Sequence, residues 1–537
     1  MATLFSRLFK GSPAGMDKAV VGEKPKPAKN LPKADIKAAV FFDGTLNNRA
    51  NTRVRQATQK ELEERVAQAA AEVEQARVAH LEAVTAQIQA EQAVEAANSA
   101  HVRAARGAER AAAAQTLRAA EEAAQPLRER RQQTDADLAS AKRRLAVAER
   151  TRDKFHAAID GKSGANYFSN VSILQEMNLI EDATLEVSVY IEGIGTDDGE
   201  EDDSIGFGFG AGATGVPVKV SKGILQLKEQ VTEALRTSES QLGTLHVDAF
   251  GFSRGAVAAR HFVARTTAAF FPKHVTLCQE LNLAPDKLTV NFVGLFDSVS
   301  SYGGERGMPA QIYHNVFKKS FNDDVAELRL NMEDVPTHVV HFAAADEYRK
   351  NFASTTIDST LRTSKGLEVA LPGVHSDIGG GYGERALETR NVPAAYRQRL
   401  LDEGWYAEEE LTSTALGGYV GRRVLTHHYQ FVPLAMMLEL AHQQGGLTFR
   451  PFAGPFKDFK VPTDLAAVHA ALWKQVQDAV GQTQRVLVAL PEEHQWVRRQ
   501  YMHRSALKHV YTMSGIAMKG RETKDGFPNR EIISDLG

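Results

Sequence analysis

Ser253 lies in Asp248-Ala-Phe-Gly251-Phe-Ser253-Arg-Gly255-Ala256, a G-x-S-x-G pattern that follows an apolar β run and precedes a helical one. A hydroxyl raised on such a tight strand-to-helix turn is positioned to attack a carbonyl, while Gly251 and Gly255 keep the strand and helix from colliding with it. The backbone N–H of Arg254, at the helix start, faces the point where negative charge collects on the attacked oxygen. A serine needs a base, and the base needs an orienting acid. Asp297 ends the next apolar run, Val290-Asn-Phe-Val-Gly-Leu-Phe-Asp297, and His375 follows a third run in Leu371-Pro-Gly-Val-His375-Ser-Asp-Ile-Gly-Gly-Gly-Tyr382. Serine, acid and histidine thus arrive in that order at three strand ends, the edge where open α/β sheets place their sites. This chemistry calls for no metal or organic cofactor.

Each position has rivals. Asp297 could cap the following element, with Asp377 or Asp346 as the acid instead, and His341 or His503 could replace His375 as base. Asp377 reads better as a pin for the Gly379–Gly381 loop. His427-His428 read as packing or surface residues, because no carboxylate–histidine spacing accompanies them. Asp43-Gly44-Thr45 after a strand has the look of a phosphatase turn, but Phe41 occupies the place where an aspartyl nucleophile would be needed. A role for Asp43 and Gly44 in completing an oxyanion hole with Arg254 fits better. The glycine-rich stretch from Gly206 to Gly215 lacks the Lys-Ser/Thr of a phosphate loop and suits an apolar entrance. Asp197–Asp203 does not follow the EF-hand ligand ladder and reads as a solvated acidic loop.

The elements that must position these residues emerge from pattern. Strand-like runs occupy Ala38–Phe42, Thr184–Ile191, Thr244–Phe250, Leu288–Phe296, Thr337–Ala344 and Leu367–Leu371, with helical stretches at Lys222–Arg236 and Ala256–Phe270. Several runs are apolar nearly throughout, as strands covered on both faces are. This predicts an α/β fold, α/β-hydrolase-like, with a doubly wound, mainly parallel sheet. Between 56 and 155 the composition turns to Ala, Glu, Gln and Arg with almost no aromatics, and apolar residues recur three and four apart. The spacing predicts a helical hairpin turning near Arg106-Gly107, with about 50 residues and on the order of 75 Å per arm, and Pro126 kinking the second arm. A break at Pro126 with unequal arms is the competing layout. The expected organisation is an extended arm over 1–36, a catalytic domain over 37–55 and 156–385, the inserted hairpin or coiled coil over 56–155, and a helical cap over 386–537.

Composition narrows the function classes. The 537 residues are 43% hydrophobic and carry a net charge of −3, which argues against nucleic-acid binding. The single cysteine, Cys278, allows no intrachain disulfide. No apolar run is long enough to span a bilayer and the first thirty residues lack a secretory h-region, so the chain is expected to be made in the cytoplasm without an export signal of its own.

Five blocks carry a resemblance: Phe42-Asp-Gly-Thr-Leu-Asn-Asn48, Gly193-Ile-Gly-Thr196, Gly251-Phe-Ser-Arg-Gly-Ala256, Gly294-Leu-Phe-Asp297 and Pro372–Tyr382. Together they resemble the G-x-S-x-G branch of type VI secretion lipase effectors, within a broader uncharacterised α/β-hydrolase domain family. The resemblance makes Ser253 the nucleophile, Asp297 the acid and His375 the base. It further implies hydrolysis of membrane phospholipid, injection into the periplasm of a target bacterium, a type VI spike or carrier protein, and a cognate immunity protein. The helical insertion departs from the family pattern. Competing readings are a housekeeping carboxylesterase on small soluble esters and a scaffold or adaptor built on an inactive hydrolase domain.

Overall fold

The computed structural model describes residues 31–159, 166–178, 185–194, 196, 215–267, 275–300, 325–326, 328–349, 352–415, 417–505 and 529–536. The 197–203 and 206–214 stretches and the first thirty residues lie outside the described residues.

Strands β1 (Lys33–Phe42), β2 (Glu186–Ile191), β3 (Gln241–Phe252), β4 (Leu288–Phe296), β5 (Pro336–Ala344), β6 (Ser354–Thr355), β7 (Gly366–Leu371), β8 (Arg385–Val392), β9 (Leu411–Ser413), β10 (Tyr419–Thr426), β11 (Val486–Leu487) and β12 (Ile532–Ile533) follow in chain order. Seven of them form one sheet in the order β11-β7-β5-β4-β3-β1-β2, and every pair in it is parallel. Alternation of side chains puts Ala39 and Phe41 of β1 in one core, and Ile36, Ala38, Val40 and Phe42 in the other. Likewise Phe250 and Phe252 of β3 face the first core while Leu245, Val247 and Ala249 face the second. Burial on both faces is why these runs are apolar throughout. The Val216–Thr237 and Arg254–Thr267 helices cover the second face. Helix Phe431–Gly445, with Met436 and Met437 fully buried, covers the first. From β1 the chain goes to β2 on one side and returns to β3 on the other, so a topological switch point lies between the carboxyl ends of β1 and β3.

Between β1 and β2 stand two long helices, α1 (Arg49–Arg103) and α2 (Ala108–Ile159). The chain turns between them at 104–107, with Gly107 at φ +94°, in the left-handed region that glycine enters without a Cβ penalty. Leu62, Ala69 and Ala83 of α1 are buried, as are Ala124 and Ala141 of α2. Small residues let the two backbones approach. Arg144–Glu72 (2.9 Å) and Arg128–Glu91 (3.3 Å) bridge the arms in antiparallel register. Pro126 lies inside α2, which runs on through it. Helix α1 starts at Arg49 and not at 56, because Asn48 caps it by accepting from the Asn51 N–H at 3.1 Å. The hairpin is rooted where Thr52 Oγ1 donates to the Asn166 carbonyl (3.2 Å), the Asn166 side chain donates to the Leu46 carbonyl (2.7 Å), and Arg53 pairs with Glu176 (2.5 Å).

Two expectations change in detail. Residues 33–36, read as part of the arm, belong to β1, which extends to Lys33. The region after 385 contains the helices Phe431–Gly445 and Ala466–Asp478, and also an antiparallel sheet in the order β8-β10-β9, while β11 joins the main sheet. A buried Glu388–Arg423 ion pair occupies facing positions of β8 and β10, and this charge hides the strands from a search for apolar alternation.

Candidate active site

Ser253 is the single residue between β3 and the Arg254–Thr267 helix, and its φ of +60° is the strained turn that lifts the side chain from the sheet edge. The crossing is tight. A methyl group on Gly251 would lie 2.3 Å from the Gly255 carbonyl oxygen, and one on Gly255 would lie 2.3 Å from the carbonyl oxygens of Phe42 and Asp43. The amide of Ser253 donates to the Phe296 carbonyl at 3.0 Å, tying the elbow to the end of β4.

The next residue after Phe296 is Asp297, wholly buried at φ +44°. Its Oδ1 accepts from the Ala344 amide (2.8 Å), and its Oδ2 lies 2.5 Å from His375 Nδ1. His375 opens a short helix, His375–Gly379, after β7, and its ring packs on Phe252 with centroids 4.7 Å apart. Phe252 itself is wedged so closely between Gly44 and Gly379 that a methyl on either would strike its ring. Ser253, Asp297 and His375 are therefore gathered at the carboxyl ends of β3, β4 and β7. Among the described residues no hydrogen bond joins Ser253 Oγ to His375, a contact that is often loose until substrate arrives.

The electrostatics suit a base and its orienter. Burial alone would push the Asp297 carboxyl up; Arg530, together with the bond to His375, outweighs it and holds the group below the usual carboxylate range. Burial holds His375 below the ordinary imidazole range against the opposing pull of Asp297, so the ring is neutral and able to accept a proton.

The oxyanion residues need correction. The Asp43 amide donates to the Ile191 carbonyl at 2.9 Å, and the Gly44 amide to the carboxylate of Asp43 itself at 2.6 Å. Neither is available to an oxyanion. Asp43 also accepts from Tyr190 Oη at 2.6 Å, and burial pushes its pKa up to about 6. The neighbouring Thr45 N–H has no hydrogen-bond partner among the described residues. Thr45 is joined to the elbow by Arg254 Nε, which donates to Thr45 Oγ1 at 2.8 Å. Burial brings the Arg254 guanidinium down to about 10.

The rivals are occupied elsewhere. Asp377 accepts from the Val374 amide and faces His503 Nδ1 at 2.8 Å, which pairs the two with each other. Asp346 accepts from the Gly373 amide at 2.8 Å. His341, inside β5, accepts at Nε2 from the Ser298 amide at 3.0 Å, and His427 lies against Tyr167 with ring centroids 4.0 Å apart. No group of three or more His, Cys, Asp or Glu side chains among the described residues is placed to hold a metal ion, and no described helix is long and apolar enough to cross a membrane.

Three residues beside these side chains were given no role by the sequence. Arg530 grips Asp297 from 233 positions away. Glu347 accepts from the His375 amide at 3.3 Å and is itself paired with Arg349, and Arg349 holds it at about 2 against the upward push of burial. Thr45 is the third. Of these, only Thr45 had a signal, its place in the turn after β1.

No curated protein matches the sequence significantly. Among solved structures, that of the Tle1 effector bound to the VgrG spike from the type 6 secretion system aligns over 98% of both chains at 19% identity and a TM-score of 0.48. An uncharacterized protein from Pseudomonas aeruginosa aligns over 58% of this chain and 49% of its own, at 17% identity and a TM-score of 0.36. Residues 273–399, which include Asp297 and His375 but stop short of Ser253, match the family model described as "T6SS, Phospholipase effector Tle1-like, catalytic domain". Over that segment, about a quarter of its length, the chain is similar to the catalytic domain of the Tle1-like phospholipase effectors of type VI secretion.

Proposed function

We propose that this protein is a lipolytic hydrolase, a phospholipase of the A type that cleaves acyl esters of glycerophospholipids through Ser253, Asp297 and His375. The observation that carries the reading is the 2.5 Å Asp297–His375 pair at strand ends beside a serine held at positive φ. His375 Nε2 takes the Ser253 proton as Oγ attacks the ester carbonyl. Asp297 holds Nδ1–H and stabilises the imidazolium that results. The Arg254 and Thr45 amides receive the tetrahedral oxyanion, each worth roughly 3 kcal/mol at a comparable site. His375 then returns the proton to the departing lysophospholipid oxygen, and water releases the fatty acid from Ser253 by the same steps.

The biological part of the reading is supported by the likeness of residues 273–399 to that family. A type VI spike protein carries the enzyme out of the producing cell, the periplasm of a rival bacterium receives it, and an immunity protein guards the producer. Vesicles of phosphatidylethanolamine and phosphatidylglycerol incubated with the purified chain are expected to yield free fatty acid and lysophospholipid, while Ser253→Ala yields neither. A Ser253→Ala variant that retains the wild-type rate sinks the mechanism. Rapid turnover of short soluble esters with no attack on vesicles, and no toxicity on periplasmic expression, points to the carboxylesterase instead.

A further inference from the structure

The 529–536 segment is docked at both ends by buried ion pairs. At one end Arg530 presents Nη1 to Asp297 Oδ1 at 2.5 Å and Nη2 to Oδ2 at 2.9 Å, while its Nε and Nη1 also donate to the Phe352 and Ala344 carbonyls at 2.9 and 2.8 Å. At the other, Asp535 accepts from Arg260 at 2.9 Å and from Ser359. Arg260 is fully buried and belongs to the helix that Ser253 introduces. Between the ends, β12 pairs with β6, and the Ser354 and Thr356 amides donate to Glu531 and Ile533 carbonyls, each at 2.9 Å. One short stretch thus touches both the helix behind the serine and the acid behind the histidine.

We propose that this segment is a strap that completes the catalytic pair, with Arg530 as a positioning residue that clamps both oxygens of Asp297 and sets the basicity of His375. The inference rests on the reading that Ser253, Asp297 and His375 carry the chemistry. A planar guanidinium engaging both carboxylate oxygens fixes the plane of Asp297, and with it the direction in which Oδ2 meets Nδ1. The same permanent cation absorbs part of the carboxylate's field, so His375 feels less than a full negative charge. The other charged groups facing His375 are Glu347 and Arg349, both from the turn after β5 and already paired with each other. Among the described residues, the rings of Phe252 and Phe352 also pack on it, at 4.7 and 5.0 Å. Arg530 is therefore the cation whose removal leaves the Asp297 carboxylate uncompensated beside His375.

The experiment follows the pH dependence of kcat/KM on a soluble p-nitrophenyl ester for the full chain and for Arg530→Met, Arg530→Lys and Ser253→Ala, with thermal unfolding of each. Arg530→Met is expected to move the acid limb upward by about one pH unit, because the uncompensated carboxylate stabilises the imidazolium, and to lower the plateau about tenfold or more through loss of orientation. Arg530→Lys keeps the charge without the fork. Its limb is expected to stay within about 0.3 unit of wild type while the plateau falls about threefold to tenfold. An Arg530→Met variant that folds with an unshifted limb and a rate within twofold overturns the proposal. Should Arg530→Met fail to fold, Arg530→Lys decides, and a wild-type rate in that variant overturns it. Activity in Ser253→Ala refutes the underlying triad and leaves the strap's own result to stand or fall separately.

Discussion

Gly255→Ala sets two known effects against each other. In an exposed helix the exchange stabilises by up to about 1 kcal/mol, since alanine has the better helix propensity. Here the new methyl would lie 2.3 Å from two backbone carbonyl oxygens, those of Phe42 and Asp43, and 2.7 Å from the Asp43 carbonyl carbon. Neither neighbour is a side chain that can swing aside; Phe42 is held by the β1–β2 and β1–β3 ladders, and Asp43 by its amide's bond to the Ile191 carbonyl. Overpacking of this kind costs about 1 to 3 kcal/mol; with two backbone atoms in the way the cost lies at the upper end, so the sign reverses and a net loss of up to about 2 kcal/mol is expected. The relief available is a shift of the β1 end, which carries Thr45 away from the elbow. A displacement near 1 Å costs on the order of a hundredfold in rate. Urea unfolding read by midpoint at constant slope, together with kcat/KM on a soluble ester, measures both. A variant that is more stable than wild type and fully active refutes the tight crossing, and with it the account of why a glycine stands there.

Two further outcomes follow from buried charge and from the insertion. Asp248 accepts from Asn291 Nδ2 (3.2 Å) and the Phe292 amide (3.0 Å) through Oδ1 alone, so Asp248→Asn keeps both bonds. Burial raises the folded-state pKa from 3.8 to about 7. The folded protein then binds the extra proton, and its stability falls as pH rises through that window. Asp248→Asn is expected to gain about 1 to 2 kcal/mol at about pH 8 and nothing at about pH 4; an equal gain at both removes the ionisation argument. Replacing most of α1 and α2 beyond their root with a short Gly-Ser turn is expected to leave ester hydrolysis within about threefold, because the hairpin meets the sheet domain through Arg49, Thr52, Arg53 and Arg55 near its base. A thousandfold loss in a folded variant places the hairpin in the chemistry.

The parts of the fold legible in sequence were those decided by local periodicity. The β4 strand matches its apolar run from Leu288 to Phe296 residue for residue, since both its faces are buried. The hairpin turn declared itself through Gly107 and the equal arm lengths. What stayed hidden depends on single long-range pairings. Nothing in the spacing around Arg530 announces a partner at Asp297, and no pattern in β8 or β10 reveals that Glu388 and Arg423 neutralise each other. The turn after β1 was legible as a loop beside the elbow, but the bonds of its amides were not, because the Asp43 carboxylate folds back onto the Gly44 N–H.

The hairpin also bears on how the sheet is assembled. Strand β1 must pair with β2 although about 140 residues of chain separate them, and a random loop of that length is slow to close. An antiparallel pair of helices is built from contacts near in sequence and needs no sheet to form. Once formed, it delivers its two ends side by side at Leu46 and Asn166, leaving roughly twenty residues of the connection still to be ordered, between two and three halvings of the loop and about 1.6 kcal/mol less closure entropy. The inserted arms thus act as a splint during folding, turning a distant strand pairing into a nearby one before the catalytic edge exists.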